Sequence, residues 1–240
     1  MKKIKLLTGF MVFIVLLGSY APQSFADELP IGNYGFTQEE NNMYSQFYTP
    51  EEIKEMEQQF NSIMKDIESR GAVVTADEYI NGGSRAGSYN GIVARSGDIL
   101  VAKKNGGPKP ANWVGHAAIV TNAGSSITHF PGVGIDPKEE PLKVFFEQNS
   151  EIYVLRHNDY NASIAAAQWA NWYMDKYPKA EYDVLSGYLV LDPNYCSKFV
   201  WQAYYFGADT TISPMFAWKP LAPMELVLSA RDTAQITYVP

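Results

Sequence analysis

The chain has 240 residues, 46% of them hydrophobic, and this is enough to bury a core without cross-links; its single cysteine excludes an internal disulfide. The formal net charge of −7, from 19 basic and 26 acidic residues, excludes the strongly basic surface typical of nucleic-acid-binding proteins. The length predicts one globular domain, 27–240, after a leader.

The leader, 1–26, has the pattern of a secretory signal peptide. Three lysines among the first five residues precede a mostly apolar run, 6–17, and Ser24-Phe25-Ala26 has the small-x-small form of a cleavage site. The run is short for a transmembrane helix of about 20 residues. We therefore expect cleavage, a secreted or cell-envelope location in a bacterium, and no stable membrane insertion afterwards. A retained membrane anchor is the alternative.

Residues 27–95 are predicted to form an N-terminal extension that contains one helix, 50–70. Thr49 is its expected N-cap, a proline takes the first helical position, and Glu52 completes a capping box. The apolar positions recur at helical spacing: Ile53, Met56, Phe60, Ile63, Met64 and Ile67. We interpret this helix as a packing element.

The region 96–240 is predicted to be the catalytic part of the domain. Its strand-like runs are 99–102, 116–121, 126–130, 151–155 and 236–239; its helices are 162–177 and one that begins at Cys196; its loops are 105–110 and the Pro-rich stretch 214–223. Strands clustered before helices predict an α+β fold with an antiparallel sheet.

Two histidines are expected to lie together on this sheet. If Asn122 faces Ser125 in a tight turn, the numbers of paired residues sum to 247, so His116 and His129 become diagonal neighbours on one face. We expect the helix that carries Cys196 to pack on the same face.

Cys196 is predicted to lie in the first turn of a helix, with Asn194 as N-cap and Gly207 at its end. The positive end of the helix dipole favours a thiolate, so we expect a thiol pKa well below about 8.5. A cysteine nucleophile needs a base and a group that orients the base. His116 is the expected base and His129 the orienting residue. The alternatives are a buried inert cysteine, a core histidine at 116 and a surface histidine at 129.

The third histidine and a metal site are weaker candidates for a functional role. His157 closes a strand among polar residues, and we interpret it as structural or exposed. Cys196, His116 and His129 could supply three metal ligands, but the sequence has no close-spaced ligand pair, so no metal site is predicted.

Four segments of the chain resemble those of NlpC-type papain-like peptidases. S-G-D-I-L-V at 96–101, G-H-A-A-I-V at 115–120 and I-T-H-F at 127–130 resemble the Gly-Asp strand, the catalytic His strand and the third-residue strand. Y-C-S-K-F-V-W-Q-A-Y at 195–204 resembles the nucleophile helix. Because the Cys segment follows the His strands, the order resembles the circularly permuted YaeF/YiiX-like group.

This resemblance implies a circularly permuted papain-like fold, with an antiparallel sheet or partial barrel packed against the nucleophile helix. It also implies Cys196 as nucleophile, His116 as base and His129 as third residue. Tyr182 matches, with one glycine of two, a Tyr-x-x-Gly-Gly-like segment whose tyrosine points at the substrate or oxyanion. The backbone N–H of Cys196 is the other expected oxyanion donor. Lys198 stands where Gly is common and is expected to narrow or charge the cleft.

The sequence therefore predicts an exported cysteine hydrolase that cleaves amide bonds in short or cell-wall peptides through an acyl-enzyme. Its partner would be a peptide or peptidoglycan-derived substrate, with no nucleic acid and no metal or organic cofactor. The alternative is a lipid-directed acyltransferase or esterase with the same Cys-His-His site, whose acyl chain could contact the aromatic runs 204–206 and 216–218. A binding module without catalysis is a further alternative.

Overall fold

The computed structural model describes residues 47–81, 93–103, 115–214, 219–230 and 233–240, and all structural statements below concern these residues. They lie in one compact unit of the chain, Gly32–Pro240. The predicted signal peptide, the loop at 105–110 and the aromatic run 216–218 lie outside the described residues.

Six strands form one open antiparallel sheet with the order β4-β3-β2-β1-β5-β6. The strands are β1 (Ile99–Ala102), β2 (His116–Thr121), β3 (Ser126–His129), β4 (Lys138–Pro141), β5 (Ile152–His157) and β6 (Ala234–Val239). The predicted α+β class and antiparallel sheet are confirmed.

Six helices pack around this sheet. They are α1 (Pro50–Ser69), α2 (Ala76–Asn81), α3 (Leu142–Gln148), α4 (Tyr160–Lys176), α5 (Cys196–Ala208) and α6 (Pro223–Ala230). Within the described ranges, no helix combines the length and the apolar character that crossing a membrane requires.

The core has two layers because successive strand residues point to opposite faces of the sheet. Val101 and Ala117 belong to the larger layer, which also contains buried side chains of α1, α4, α5 and α6. Leu100 and Ala118 belong to the smaller layer, which contains buried side chains of α2 and α3. We call these the α5 face and the α3 face of the sheet.

The predicted boundaries of the first helix are confirmed at its start. Thr49 is the N-cap, and its hydroxyl and the carboxylate of Glu52 form the reciprocal capping box. The helix ends at Ser69, one residue before its predicted end, because Arg70 is the C-cap.

The predicted register of the β2–β3 hairpin is also confirmed. Ile119 pairs with Thr128 and Thr121 with Ser126, so the residue numbers sum to 247. The turn is a short 3₁₀ segment, Asn122–Gly124.

Four short elements were not predicted from the sequence: α2, α3, α6 and β4. For α2 the signal was present, because Thr75 and Glu78 form a second capping box. For α6, Pro223 was interpreted as part of a loop although it takes the first helical position. Strand β4 has the sequence Lys-Glu-Glu-Pro and no apolar residue, so only its pairing with β3 makes it a strand.

The predicted role of Gly207 as the end of the nucleophile helix is wrong. Helix α5 continues through Gly207 to Ala208, and Asp209 is the left-handed C-cap, with φ of +48°. A Cβ atom at Gly207 would lie 2.7 Å from Cβ of Trp169 and 2.8 Å from the carbonyl oxygen of Ala165. The glycine therefore allows α4 and α5 to approach each other closely.

We predict that Gly207→Ala destabilises the fold by about 1–3 kcal/mol, because the added methyl group overpacks this contact. In a helix whose glycine touches no other element, the same change would stabilise the protein by about 1 kcal/mol. The sign of the change in unfolding free energy therefore shows whether the close contact exists. Chemical denaturation measures the difference. Gln168→Ala, at an exposed position of α4, is the control and should change stability by less than about 0.5 kcal/mol. A more stable Gly207→Ala protein would contradict the close approach of the helices.

Candidate active site

Cys196 is the first residue of α5, and its side chain is completely buried. The backbone of Ala117 in β2 and Ser197 lie close enough to its sulfur to lower the thiol pKa. The hydroxyl of Tyr182 lies 3.9 Å from the sulfur and donates to it. The thiol therefore lies at a helix start against the residue that follows His116.

The predicted N-cap is wrong by one residue. Tyr195 is the N-cap, without a capping side chain, while Asn194 is buried and turned into the protein. The amide oxygen of Asn194 accepts from the N–H of Tyr195 at 2.9 Å, and its amide nitrogen donates to Gln202 Oε1 at 2.8 Å. Asn194 thus fastens the segment before α5 to the second turn of that helix.

The position of Tyr182 follows from the same segment. Tyr182 and Asn194 form an isolated parallel bridge, and the N–H of Asp183 donates to the carbonyl oxygen of Asn194 at 2.9 Å. Backbone pairing therefore brings Tyr182 to the start of α5, beside Cys196.

His116 and His129 share one face of the sheet, as the register predicted. Nε2 of His116 lies 2.7 Å from Nδ1 of His129, and the two ring centroids are 5.1 Å apart. His116 is 4% exposed and His129 is fully buried. The ring of His116 also stacks on Phe145 of α3, with centroids 5.9 Å apart.

The prediction that the nucleophile helix packs on the histidine face is wrong. His116 pairs with Ala102, whose side chain belongs to the α3 face, whereas α5 packs on the opposite face with Ala117 and Ile119. The ladder between β2 and β3 runs from Ile119 to Thr121 and stops before Ala117. The thiol therefore meets β2 at this open edge, next to the backbone of Ala117.

A carboxylate that the sequence analysis missed completes the histidine pair. Nε2 of His129 lies 3.0 Å from Oε1 of Glu140 in β4, and Lys138 Nζ lies 2.8 Å from the other carboxylate oxygen. Glu140 faces Ile127 in the β3–β4 ladder and so is the diagonal neighbour of His129. The only sequence signal was the alternation in Lys-Glu-Glu-Pro. Within the described ranges, no cluster of three or more His, Cys, Asp or Glu side chains is arranged to hold a metal ion.

The predicted low pKa of the thiol is wrong. Burial raises the pKa of Cys196 to about 11, although hydrogen bonds from Ala117, Tyr182 and Ser197 act in the opposite direction. Burial and the neighbouring His129 lower the pKa of His116 well below its usual value, and burial lowers that of His129. Near neutral pH the thiol and both imidazoles are therefore uncharged, because desolvation outweighs the helix dipole.

Lys198 does not point into an open cleft, as the resemblance implied. Its side chain is buried, and Nζ donates to Ser186 Oγ at 2.6 Å and to the carbonyl oxygens of Gly187 and Pro193 at 3.2 and 2.8 Å. Burial lowers its pKa to about 7. Lys198 therefore ties the loop between Tyr182 and Cys196 to the first turn of α5.

Residues considered as secondary candidates lie away from the thiol. His157 ends β5, and its Nδ1 accepts from the N–H of Asp159 at 3.1 Å, which fits its predicted structural role. Tyr204, in the third turn of α5, is buried and donates to the carbonyl oxygen of Gly97 at 2.5 Å. Tyr204 therefore packs in the core and lines no acyl channel beside Cys196.

Comparison with known proteins gives partial similarities. No protein-family model matches the chain. An uncharacterized 30.3 kDa protein of Bacillus thuringiensis is 30% identical over 135 residues, which are 52% of this chain and 48% of that protein. The chain thus spans about half the length of this relative. A crystal structure of the metalloprotein YiiX from Escherichia coli O157:H7, DUF1105, is 16% identical, with a TM-score of 0.44 over 61% of this chain and 97% of that one.

We predict that Cys196 reacts slowly with iodoacetamide at neutral pH and that its rate rises toward a midpoint near pH 11. Mass spectrometry of the labelled protein against pH measures this profile. Tyr182→Phe should move the midpoint upward, because the thiolate loses a hydrogen-bond donor. A wild-type midpoint below pH 8.5 would contradict a thiol pKa that burial raises.

We predict that the free energy of unfolding rises between pH 7 and pH 8.5 because of Lys198. Its folded pKa of about 7 lies below the unfolded value of about 10.4, so the unfolded chain binds more protons in this window. The slope from one such group is at most about 1.4 kcal/mol per pH unit. The raised pKa of Cys196 acts in the opposite direction, but only above about pH 8.5.

Urea denaturation at several pH values measures this slope. Lys198→Met should flatten it, while Lys176→Met, which removes an exposed lysine at the end of α4, should leave it intact. Equal slopes in wild type and Lys198→Met would show that Lys198 stays protonated in the folded protein across this window.

Proposed function

We propose that this protein is a cysteine hydrolase that cleaves amide bonds in short or cell-wall peptides through an acyl-enzyme. The observation that supports it best is the pair of ring nitrogens of His116 and His129, 2.7 Å apart, because His116 is the neighbour in β2 of Ala117, whose backbone lies against the Cys196 sulfur. The proposed fold is a circularly permuted papain-like one, with both histidines before the nucleophile in the chain. The protein is proposed to act outside the cytoplasm, without a metal or organic cofactor.

The proposed reaction starts from an uncharged thiol and an uncharged imidazole. His116 takes the proton from Cys196 as sulfur bonds to the substrate carbonyl carbon, and the carbonyl electron pair moves to oxygen. His116 then returns the proton to the amine as the C–N bond breaks, which leaves a thioester on Cys196. Water, deprotonated by His116, attacks the thioester and releases the acid and the thiol.

Two groups are proposed to stabilise the negative oxygen formed in each attack. The first is the backbone N–H of Cys196, since the first N–H groups of a helix have no acceptor within the helix. The second is the hydroxyl of Tyr182, which already lies 3.9 Å from the sulfur.

A lipid-directed acyltransferase or esterase is the second candidate, and one observation favours it. The loop that connects Tyr182 to Cys196 exposes three apolar side chains, Leu185, Leu189 and Val190, which are 59%, 57% and 44% exposed. Exposed apolar side chains on the loop that leads to the nucleophile helix could contact an acyl chain. In this reaction the same thioester would pass its acyl group to an acceptor other than water.

We predict that Cys196→Ser abolishes turnover and leaves the fold intact, and that His116→Gln lowers kcat by about 10²–10⁴-fold. His157→Gln is the matched control, because it removes a histidine from the far end of β5 and should retain near wild-type activity. A mass-spectrometric screen of cell-wall peptides against phospholipids provides the substrate and separates the two candidates. If Cys196→Ser retains most of the activity, the cysteine-hydrolase proposal is wrong.

A further inference from the structure

Four side chains form a continuous polar chain that starts at the histidine pair and ends in a carboxylate and its cation. Nε2 of His116 meets Nδ1 of His129 at 2.7 Å, Nε2 of His129 meets Oε1 of Glu140 at 3.0 Å, and Oε2 of Glu140 meets Nζ of Lys138 at 2.8 Å. Both rings are at least 96% buried, whereas the Glu140 side chain is 12% and the Lys138 side chain 37% exposed. This row of four side chains thus runs from the buried interior toward solvent.

The carboxylate of Glu140, at the solvent end of this row of side chains, determines which nitrogen of each imidazole ring carries the proton. Glu140 is ionised, since its contacts with His129 and Lys138 lower its carboxyl pKa to about 2, and a carboxylate can only accept hydrogen bonds. Nε2 of His129 lies 3.0 Å from this carboxylate, outside hydrogen-bond alignment, and an unprotonated nitrogen at that distance would repel it, so the proton of His129 belongs on Nε2. In an uncharged imidazole the other nitrogen is an acceptor, so Nδ1 of His129 accepts from Nε2–H of His116. This leaves Nδ1 of His116 as the nitrogen that can take a proton.

We propose that Glu140 is a positioning residue that fixes both histidines as Nε2–H tautomers and thereby makes Nδ1 of His116 the base of the site. The consequence for catalysis rests on the proposed function; the tautomers themselves do not. When His116 accepts the thiol proton it becomes a cation, and the carboxylate on the far side of His129 lowers the energy of that cation.

The tautomers can be observed directly in the resting protein, without any substrate. The chain has three histidines, so long-range ¹H–¹⁵N correlation spectra contain three imidazole patterns. His116→Gln and His157→Gln, each of which removes one pattern, provide the assignment. We expect Nε2–H and unprotonated Nδ1 for His116 and His129 near neutral pH. If either ring is an Nδ1–H tautomer in the wild type, the proposal is overturned.

Substitution of Glu140 tests whether it is the cause of this arrangement. Glu140→Leu removes the acceptor, so Nδ1–H tautomers should appear, with kcat reduced about 10- to 100-fold and KM little changed. Glu140→Gln keeps an acceptor oxygen without the charge and should restore the tautomers and part of kcat. Glu139→Gln is the matched control: it removes the same charge from the adjacent, exposed position, whose carboxylate contacts Asn122.

The outcomes separate this inference from the proposed function. Unchanged Nε2–H tautomers in Glu140→Leu would overturn the role of Glu140 even if the protein is a hydrolase. The expected tautomers in the wild type, lost in Glu140→Leu and kept in Glu139→Gln, would support that role even if no peptide is hydrolysed. If Glu140→Leu does not fold, the comparison of Glu140→Gln with the wild type decides: identical spectra and an unchanged kcat would exclude any effect of the charge.

Discussion

The approach of the Cys196 sulfur to the backbone of Ala117 is the contact on which the rest of the site depends. It exists because the β2–β3 ladder stops at Ile119 and leaves the edge of β2 open near its start. The first turn of α5 meets that edge, so the thiol, on the α5 face, lies against Ala117, one residue along β2 from a histidine that points to the α3 face. A fully paired sheet would place a continuous layer of backbone between the two groups.

The electrostatics of the site follow from burial. Cys196, His116 and His129 are all nearly or fully inaccessible to water, and each is held in its uncharged form because an isolated buried charge is costly. The permanent charges nearby, on Glu140 and Lys138, lie closer to solvent and pair with each other. The thiol and the two imidazoles are therefore uncharged at rest, and the proposed proton transfer charges them only as the substrate reacts.

The loop between Tyr182 and Cys196 is the second structural requirement. Its backbone carries the tyrosine to the thiol, and three buried polar side chains of the adjoining segment and helix hold it: Asn194, Lys198 and Gln202. Each of them donates to a loop carbonyl or to another member of the group, so the loss of one leaves buried acceptors unsatisfied. The position of Tyr182 relative to the thiol therefore depends on groups that do not touch the thiol.

The sequence predicted the elements whose apolar residues recur at a clear period and failed where tertiary contacts decide. The strand at His116–Thr121 and the pairing sum of 247 followed from alternation and turn length alone, and so did the meeting of the two histidine rings. Strand β4, and with it Glu140, has no apolar residue and exists only through its pairing with β3. The face on which α5 packs and the raised thiol pKa depend on burial, which no local pattern determines. Cys196 followed from its being the single cysteine at a predicted helix start, whereas Tyr182 was found through a resemblance. Their proximity is set by the backbone bridge between Tyr182 and Asn194, 12 residues apart in the chain.

The central claim is that the sulfur of Cys196 forms a covalent acyl intermediate, and intact-protein mass spectrometry tests this most directly. The protein is mixed with an activated peptide ester, quenched in acid within milliseconds to seconds, and digested to locate any added mass. The account predicts an acyl group on the peptide that contains Cys196, which decays as product appears and does not accumulate in His116→Gln. Turnover of the ester with no acyl group on Cys196 at any time, or the same adduct and rate in His116→Gln, would contradict it.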